Sequence, residues 1–174
     1  MPPPKLPAKA EQEPQTVTAT VVTGSIEKSL EILLDTLQVN ETIKAQVADG
    51  DLSALQPRDT LKICAWYAQT CGLHESEVCA MKLKDGRVIP YVKATGVMRF
   101  ARGKVKSVSR EMPKFENRMV IVFCTVTMIE GNTFQDFACR ELTDSKSVMA
   151  CSTAATVRAL RLACGIPLPS ENEL

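Results

Sequence analysis

The sequence predicts an α+β domain in which helices come first, a β-hairpin and antiparallel strands follow, and a long helix closes the chain. Three stretches carry that prediction. Met119 to Ile129 is β-branched and apolar at odd and even positions alike, the pattern of a central strand buried on both faces. Val78 to Lys84 and Arg87 to Val92 flank Asp85-Gly86, the signature of a β-hairpin with a two-residue turn. The third stretch, from Asp144 to Gly165, is rich in small residues, with Asp144 or Thr143 able to cap a helix and Gly165 able to end it. On a 3.6-residue wheel, Met149, Thr153, Val157, Leu160 and Cys164 form the sheet-facing stripe. Arg158 and Arg161 then fall on the opposite, exposed side, beside Ala154 and Cys151.

The remaining elements follow in order. Residues 1–24 are rich in Pro, Ala, Thr and Gln, too poor in apolar surface to offset the entropy of ordering, and are expected to be a mobile arm. Thr16 to Val22 carries alternating β-branched residues able to add a strand to a neighbour. Residues 25–174 are expected to form one domain, long enough to bury a core. Ser25 is placed as N-cap of a helix with the stripe Ile26, Leu30, Leu33, Leu34 and Leu37. Asn40 caps a shorter helix carrying Ile43 and Val47, ending near Asp49-Gly50. Pro57 opens a third helix, its course marked by Leu61, Ala65 and Ala68 and its end by Gly72. Trp66 and Tyr67 lie on it and read as core more readily than as base-stacking residues. After the hairpin, Thr95 to Arg102 reads as a short helix with Val97, Phe100 and Ala101 inward and Arg99 and Arg102 outward; Gly96 disfavours it by about 1 kcal/mol relative to alanine. Lys104 to Glu111 alternates as a strand, with Val105, Ser107 and Ser109 on one face and Lys104, Lys106, Val108 and Arg110 on the other. Glu130-Gly131-Asn132 turns the long strand into a partner spanning Thr133 to Arg140.

Charge gives the first functional indication. The formal net charge is only +1, but Lys93 to Arg118 holds eight cations (Lys93, Arg99, Arg102, Lys104, Lys106, Arg110, Lys114 and Arg118) against Glu111 and Glu116. Such asymmetry points toward a polyanion. A solvated edge strand that uses lysines against aggregation has the same composition. Taken with Arg158 and Arg161, the segment reads as a binding groove that grips a nucleic-acid backbone, with few exposed aromatics for stacking. The candidate DNA-binding residues are Lys93, Arg99, Arg102, Lys104, Lys106, Arg110, Arg158 and Arg161.

Catalytic signatures are lacking. No P-loop or G-x-G-x-x-G motif occurs, and the acidic residues form no compact set for metal-assisted hydrolysis. His74 is the single histidine; a nucleophile–base pair with Cys71 or Cys79 is conceivable, but a surface role fits its position after a helix stop better. Neither a catalytic role, a cofactor nor a metal site is expected. The seven cysteines form no C-x-x-C pair and sit mostly in apolar runs, the pattern of reduced thiols. No signal peptide or membrane-spanning run of ~20 residues is evident, so a soluble cytoplasmic protein is expected.

The helix ending in Cys71-Gly72-Leu73, the hairpin with Gly86-Arg87-Val88-Ile89-Pro90-Tyr91-Val92, and the closing Arg158-Ala159-Leu160-Arg161-Leu162-Ala163 resemble phage single-strand annealing proteins of the RecT/Redβ type. The similarity runs from about Leu52 to Gly165. His74-Glu75 stands where a proline commonly follows the Gly-Leu turn. The resemblance implies a β-β-β-α core in a ring or helical filament of identical subunits, and ATP-independent annealing of DNA strands in a basic groove between hairpin and helix. It also implies a bacterial or phage-infected cell, with an exonuclease and a single-strand binding protein as partners. By position, Arg158, Arg161, Lys93, Arg99, Arg102, Lys104 and Lys106 would meet the backbone of single-stranded DNA or of the annealed duplex. The competing expectation is a non-catalytic scaffold whose basic stripe binds an acidic protein partner.

Overall fold

The computed structural model describes residues 20–170. Helices α1 (Thr20–Thr36), α2 (Glu41–Ala48) and α3 (Pro57–Thr70) come first, then a turn of 3-10 helix at Glu75–Glu77 and the hairpin β1 (Val78–Lys82) and β2 (Val88–Val92). Helix α4 (Ala94–Ala101) leads into β3 (Val105–Arg110), β4 (Lys114–Glu116), β5 (Met119–Met128), β6 (Thr133–Glu141) and α5 (Ser145–Ala163). Every strand pair is antiparallel. The fold is α+β, in the expected order.

Local chemistry explains most helix limits. Asn40 Oδ1 accepts the Ile43 N–H at 2.9 Å, satisfying one of the donors that a helix start leaves without an intrahelical partner. Pro57 occupies the first turn of α3, where a missing N–H costs nothing. Lys44 on α2 bridges Asp35 of α1 at 2.5 Å and Glu41 at 2.6 Å, and the two carboxylates raise its pKa. Two expectations shift. α1 begins at Thr20, so Ser25 lies inside it and is not its N-cap; the rest of the expected arm, residues 1–19, falls outside the described residues. On α3 the buried face is Ile63, Cys64 and Ala68, whereas Leu61 is 69% exposed. Trp66 packs edge-on against Tyr67 with ring centroids 4.8 Å apart, and its Nε1 donates to Ser29 of α1. It clamps two helices.

The hairpin connection is longer than the predicted two residues. Leu83 N–H donates to Arg87 O at 2.8 Å and Gly86 N–H to Leu83 O at 3.1 Å, with Gly86 at φ 93°. This is the three-residue hairpin in which a tight turn is followed by a left-handed glycine. Asp51 holds the other side of β2: its Oδ1 accepts the Val88 N–H at 3.0 Å, and that bond, with Gln46 next, lowers its pKa. The end of the chain returns to the same strand, where Val92 N–H donates to Pro169 O at 2.8 Å.

In the second sheet β5 is central. β6 pairs along nearly its whole length, while β3 and β4 pair with successive parts of its other edge. They form one outer strand, broken at residues 111–113. Helix α5 lies across the sheet. Val120, Val122, Cys124 and Val126 are buried beneath it, while Met119, Ile121, Phe123, Thr125 and Thr127 on the opposite face are only half-buried. The expectation of a strand buried on both faces is therefore corrected: its apolar residues serve both faces, but among the described residues only one face carries a helix.

The predicted stripe of α5 holds at Val157 and Leu160 and is corrected elsewhere. Cys151, Ala154, Ala155, Val157, Ala159 and Leu160 are buried, while Met149 is 73% exposed and Thr153 is exposed. Small residues allow the close approach: Cys151 Sγ reaches Val120 O at 3.3 Å and Ala138 O at 3.2 Å. Hydrophobicity ranked Met149 above Ala154, but backbone proximity to the sheet favours the smaller side chain. Asp144 and Ser147 form a reciprocal capping box at the start of this helix.

Candidate nucleic-acid interface

The outer strand, Lys104 to Arg118, carries the densest basic segment. It runs from the end of α4, along β3 and β4, to the turn into β5. No other strand among the described residues pairs with its outer edge. Lys104, Lys106, Arg110, Lys114 and Arg118 are all exposed. Lys104 Nζ sits 3.3 Å from the centre of the Phe100 ring, which holds the ammonium at the lip of α4 by cation–π attraction. Asn117 and Arg118 both adopt positive φ, 48° and 64°, making a tight turn that matches strand twist.

The predicted alternation on β3 is corrected by a bulge. The register with β5 shifts between Val105 and Ser107, so that Val105 pairs with Met128 while Ser107 pairs with Thr127. A bulge puts two residues opposite one and changes which face the following side chains take. Val105 consequently shares the helix-bearing face with Val108 and Arg110, while Ser107 and Ser109 share the open face with Thr127 and Thr125. Arg110 lies opposite Cys124 and Phe115 opposite Val120, both on the helix-bearing face. Lys114 lies opposite Ile121, with its Nζ 4.8 Å from the centre of the Phe123 ring on the open face.

The outer strand's two carboxylates fall on the open side. Glu116 is opposite Met119, and Glu111 accepts from Gln135, which also reaches Thr125, at 3.2 Å and 3.3 Å. The helix-bearing side is different. Among the residues of α5 there is no Asp or Glu, and Asp136 on β6 is engaged by Arg158, Nε to Oδ2 at 3.4 Å.

Three predicted residues already have intramolecular partners. Arg99 makes a two-point ion pair with Glu77, Nε to Oε1 at 2.6 Å and Nη2 to Oε2 at 2.5 Å. The Glu77 carboxyl, held by this guanidinium and by the His74 N–H, drops to a pKa of about 2. Arg158 packs toward β6, pairing with Asp136 and lying 5.9 Å from the Phe137 ring centre. Arg161 donates to Ile166 O at 3.1 Å, fixing the chain as it leaves the helix. Both α5 arginines are half-buried, which corrects their placement on a fully exposed face: the close fit of Cys151 and Ala154 against the sheet turns position 158 toward β6. Lys93 is half-buried at the start of α4, its N–H donating to Glu77 O at 2.8 Å. Arg102 is exposed just past the end of α4. Lys104, Lys106 and Arg110 thus follow one another as exposed cations along β3, with Arg102 just before them in the chain. Arg99, Arg158 and Arg161 are each tied to another part of the fold.

Sequence reasoning did not single out Lys114, Phe115 and Arg118 as site residues, because Pro113 interrupts the strand pattern before them. The available signal was the alternation Lys114-Phe115-Glu116 before a turn. His74 Nδ1 accepts the Ser76 N–H at 3.3 Å as a helix cap, and burial raises the pKa of the Cys71 thiol. Among the described residues no group of His, Cys, Asp and Glu is arranged to hold a metal ion, and no helix is long and apolar enough to cross a membrane. No protein-family model matches the chain, and no curated protein matches it.

Proposed function

We propose that this chain is an ATP-independent single-stranded DNA-binding and annealing protein of the RecT/Redβ kind, working as a homo-oligomer in recombination. The observation that carries the reading is the outer strand. Five exposed cations, Lys104, Lys106, Arg110, Lys114 and Arg118, follow one another along an edge that no other strand among the described residues pairs. They stand two to four residues apart, with Arg110 on the helix-bearing side and Lys114 on the open side. Cationic contacts of this kind hold the backbone without reading sequence, leaving bases available to a second strand. Pairing then decides which complexes persist, and no nucleotide hydrolysis is required. The hairpin forms a two-stranded sheet of its own, and β3 to β6 form a four-stranded antiparallel sheet with α5 across it, an α+β layout compatible with this reading. Free cysteines throughout the described residues suit a reducing cytoplasm. An exonuclease and a single-strand binding protein are the proposed partners.

The test is filter binding of labelled single-stranded DNA over a salt series, with light scattering for assembly size. A log–log slope of about −0.7 per phosphate contact is expected, with faster annealing of complementary strands in the absence of ATP. No binding at low salt would reject this reading in favour of a scaffold for an acidic protein.

A further inference from the structure

We infer that the helix-bearing lip of the outer strand is a base-stacking subsite, with Phe115 as its platform. This rests on the single-stranded DNA reading above and assigns the side of the strand on which the bases lie.

Phe115 is 58% exposed although its register partner, Val120, is fully buried under α5. The helix covers β5 and β6 and leaves β4 overhanging. Phe115 shares the face of the buried Val120, yet more than half of it stays exposed, so packing against the core leaves most of the ring open. Its surroundings suit a nucleobase. On the same lip Val108 is 41% exposed; Met112, in the break between β3 and β4, is 85% exposed. Arg110 shares the helix-bearing face with Val108 and Phe115. The lip thus alternates apolar surface with a guanidinium, the combination that takes a base and its phosphate together.

Electrostatics select this face over the open one. The open face has its own aromatic pair, Phe123 and Phe137, with ring centres 5.5 Å apart. Glu111, Glu116 and Glu141 lie on that side, and Lys114 there is 3.7 Å from Glu111. A polyanion on that face would meet three carboxylates. On the helix-bearing side α5 contributes no carboxylate and Asp136 is paired. The bases therefore lie toward α5, and the strand turns its acidic residues away from the DNA.

The experiment compares the full chain with Phe115→Ala and Phe115→Trp, using a fluorescein-labelled oligothymidylate and an abasic strand of equal length. Stacking is worth ~1–3 kcal/mol per base, so Phe115→Ala is expected to weaken oligothymidylate binding by about fivefold to 150-fold. Its salt slope should stay that of the wild type, and its affinity for the abasic strand should not change. Phe115→Trp should keep affinity and show indole quenching on binding. Equal affinity of wild type and Phe115→Ala for oligothymidylate overturns the platform while leaving the DNA reading intact. An equal loss on both strands overturns it too, because it marks a structural role. Failure of the wild type to bind either strand removes the DNA reading and the platform with it.

Discussion

Arg99 grips Glu77 with two guanidinium nitrogens, and the pair joins α4 to the 3-10 turn that precedes the hairpin. Glu77 has a side chain only 12% exposed, against 52% for Arg99. The carboxylate also accepts the His74 N–H at 2.8 Å, so one side chain closes a helix cap and an inter-element ion pair. This arrangement gives Arg99 a role in the fold.

An acid-sensitive component of stability follows. The Glu77 carboxyl has a pKa of about 2 in the folded chain against an ordinary 4.5, the Arg99 hydrogen bonds being the largest cause. A depressed carboxyl contributes stability that is complete above its unfolded pKa and is lost as pH falls toward the folded one. Glu77→Gln should therefore be less stable than wild type at neutral pH, with the gap closing between pH 4.5 and about 2. Denaturant titrations of both chains across that window measure it; a gap independent of pH would remove the linkage.

Gly96 lies where α4 passes this carboxylate. A Cβ there would stand 2.8 Å from Glu77 Cβ and 3.3 Å from Val92 Cγ2. Alanine favours a helix by about 1 kcal/mol over glycine, but overpacking costs ~1–3 kcal/mol. Gly96→Ala is expected to destabilise the chain on balance, by calorimetry or denaturant midpoint. A rise in melting temperature would show that α4 can move away from the turn.

Arg158 is set over β6 with Asp136, whose side chain is 19% exposed. Arg158→Ala leaves that carboxylate without its cation, and a loss of ~1–3 kcal/mol is expected. At temperatures where the variant stays folded, oligonucleotide affinity should change less than twofold. A large affinity loss without destabilisation would return Arg158 to the DNA interface.

On the outer strand the opposite pattern is expected. Lys104, Lys106 and Arg110 are exposed, and replacing all three with alanine should leave the melting transition within about 1 kcal/mol of wild type. The salt slope of single-strand binding should fall by about 2 in magnitude, at about 0.7 for each lost contact. A full slope retained by this variant would place the DNA elsewhere.

The elements themselves were largely legible from residue patterns. Asn40, Pro57 and Asp144 mark helix starts by hydrogen-bonding chemistry that acts within a few residues, and Glu130-Gly131-Asn132 marks a turn for the same reason. The candidate site was legible in part. A run of cations is visible as composition, so Lys104, Lys106 and Arg110 could be named. Pro113 hid the continuation through Lys114, Phe115 and Arg118, and the bulge after Val105 reversed the face assigned to it.

By itself, the sequence determined the order of helices and strands, the capped ends and the basic character of residues 93–118, because those depend on neighbours along the chain. Only the tertiary structure decided which face of α5 meets the sheet, which arginines are engaged by Glu77, Asp136 and Ile166 O, and to which side the outer strand turns its own carboxylates. Those outcomes depend on contacts between residues distant in sequence. Close packing of small side chains against a backbone outweighs the hydrophobic ranking that periodicity can read.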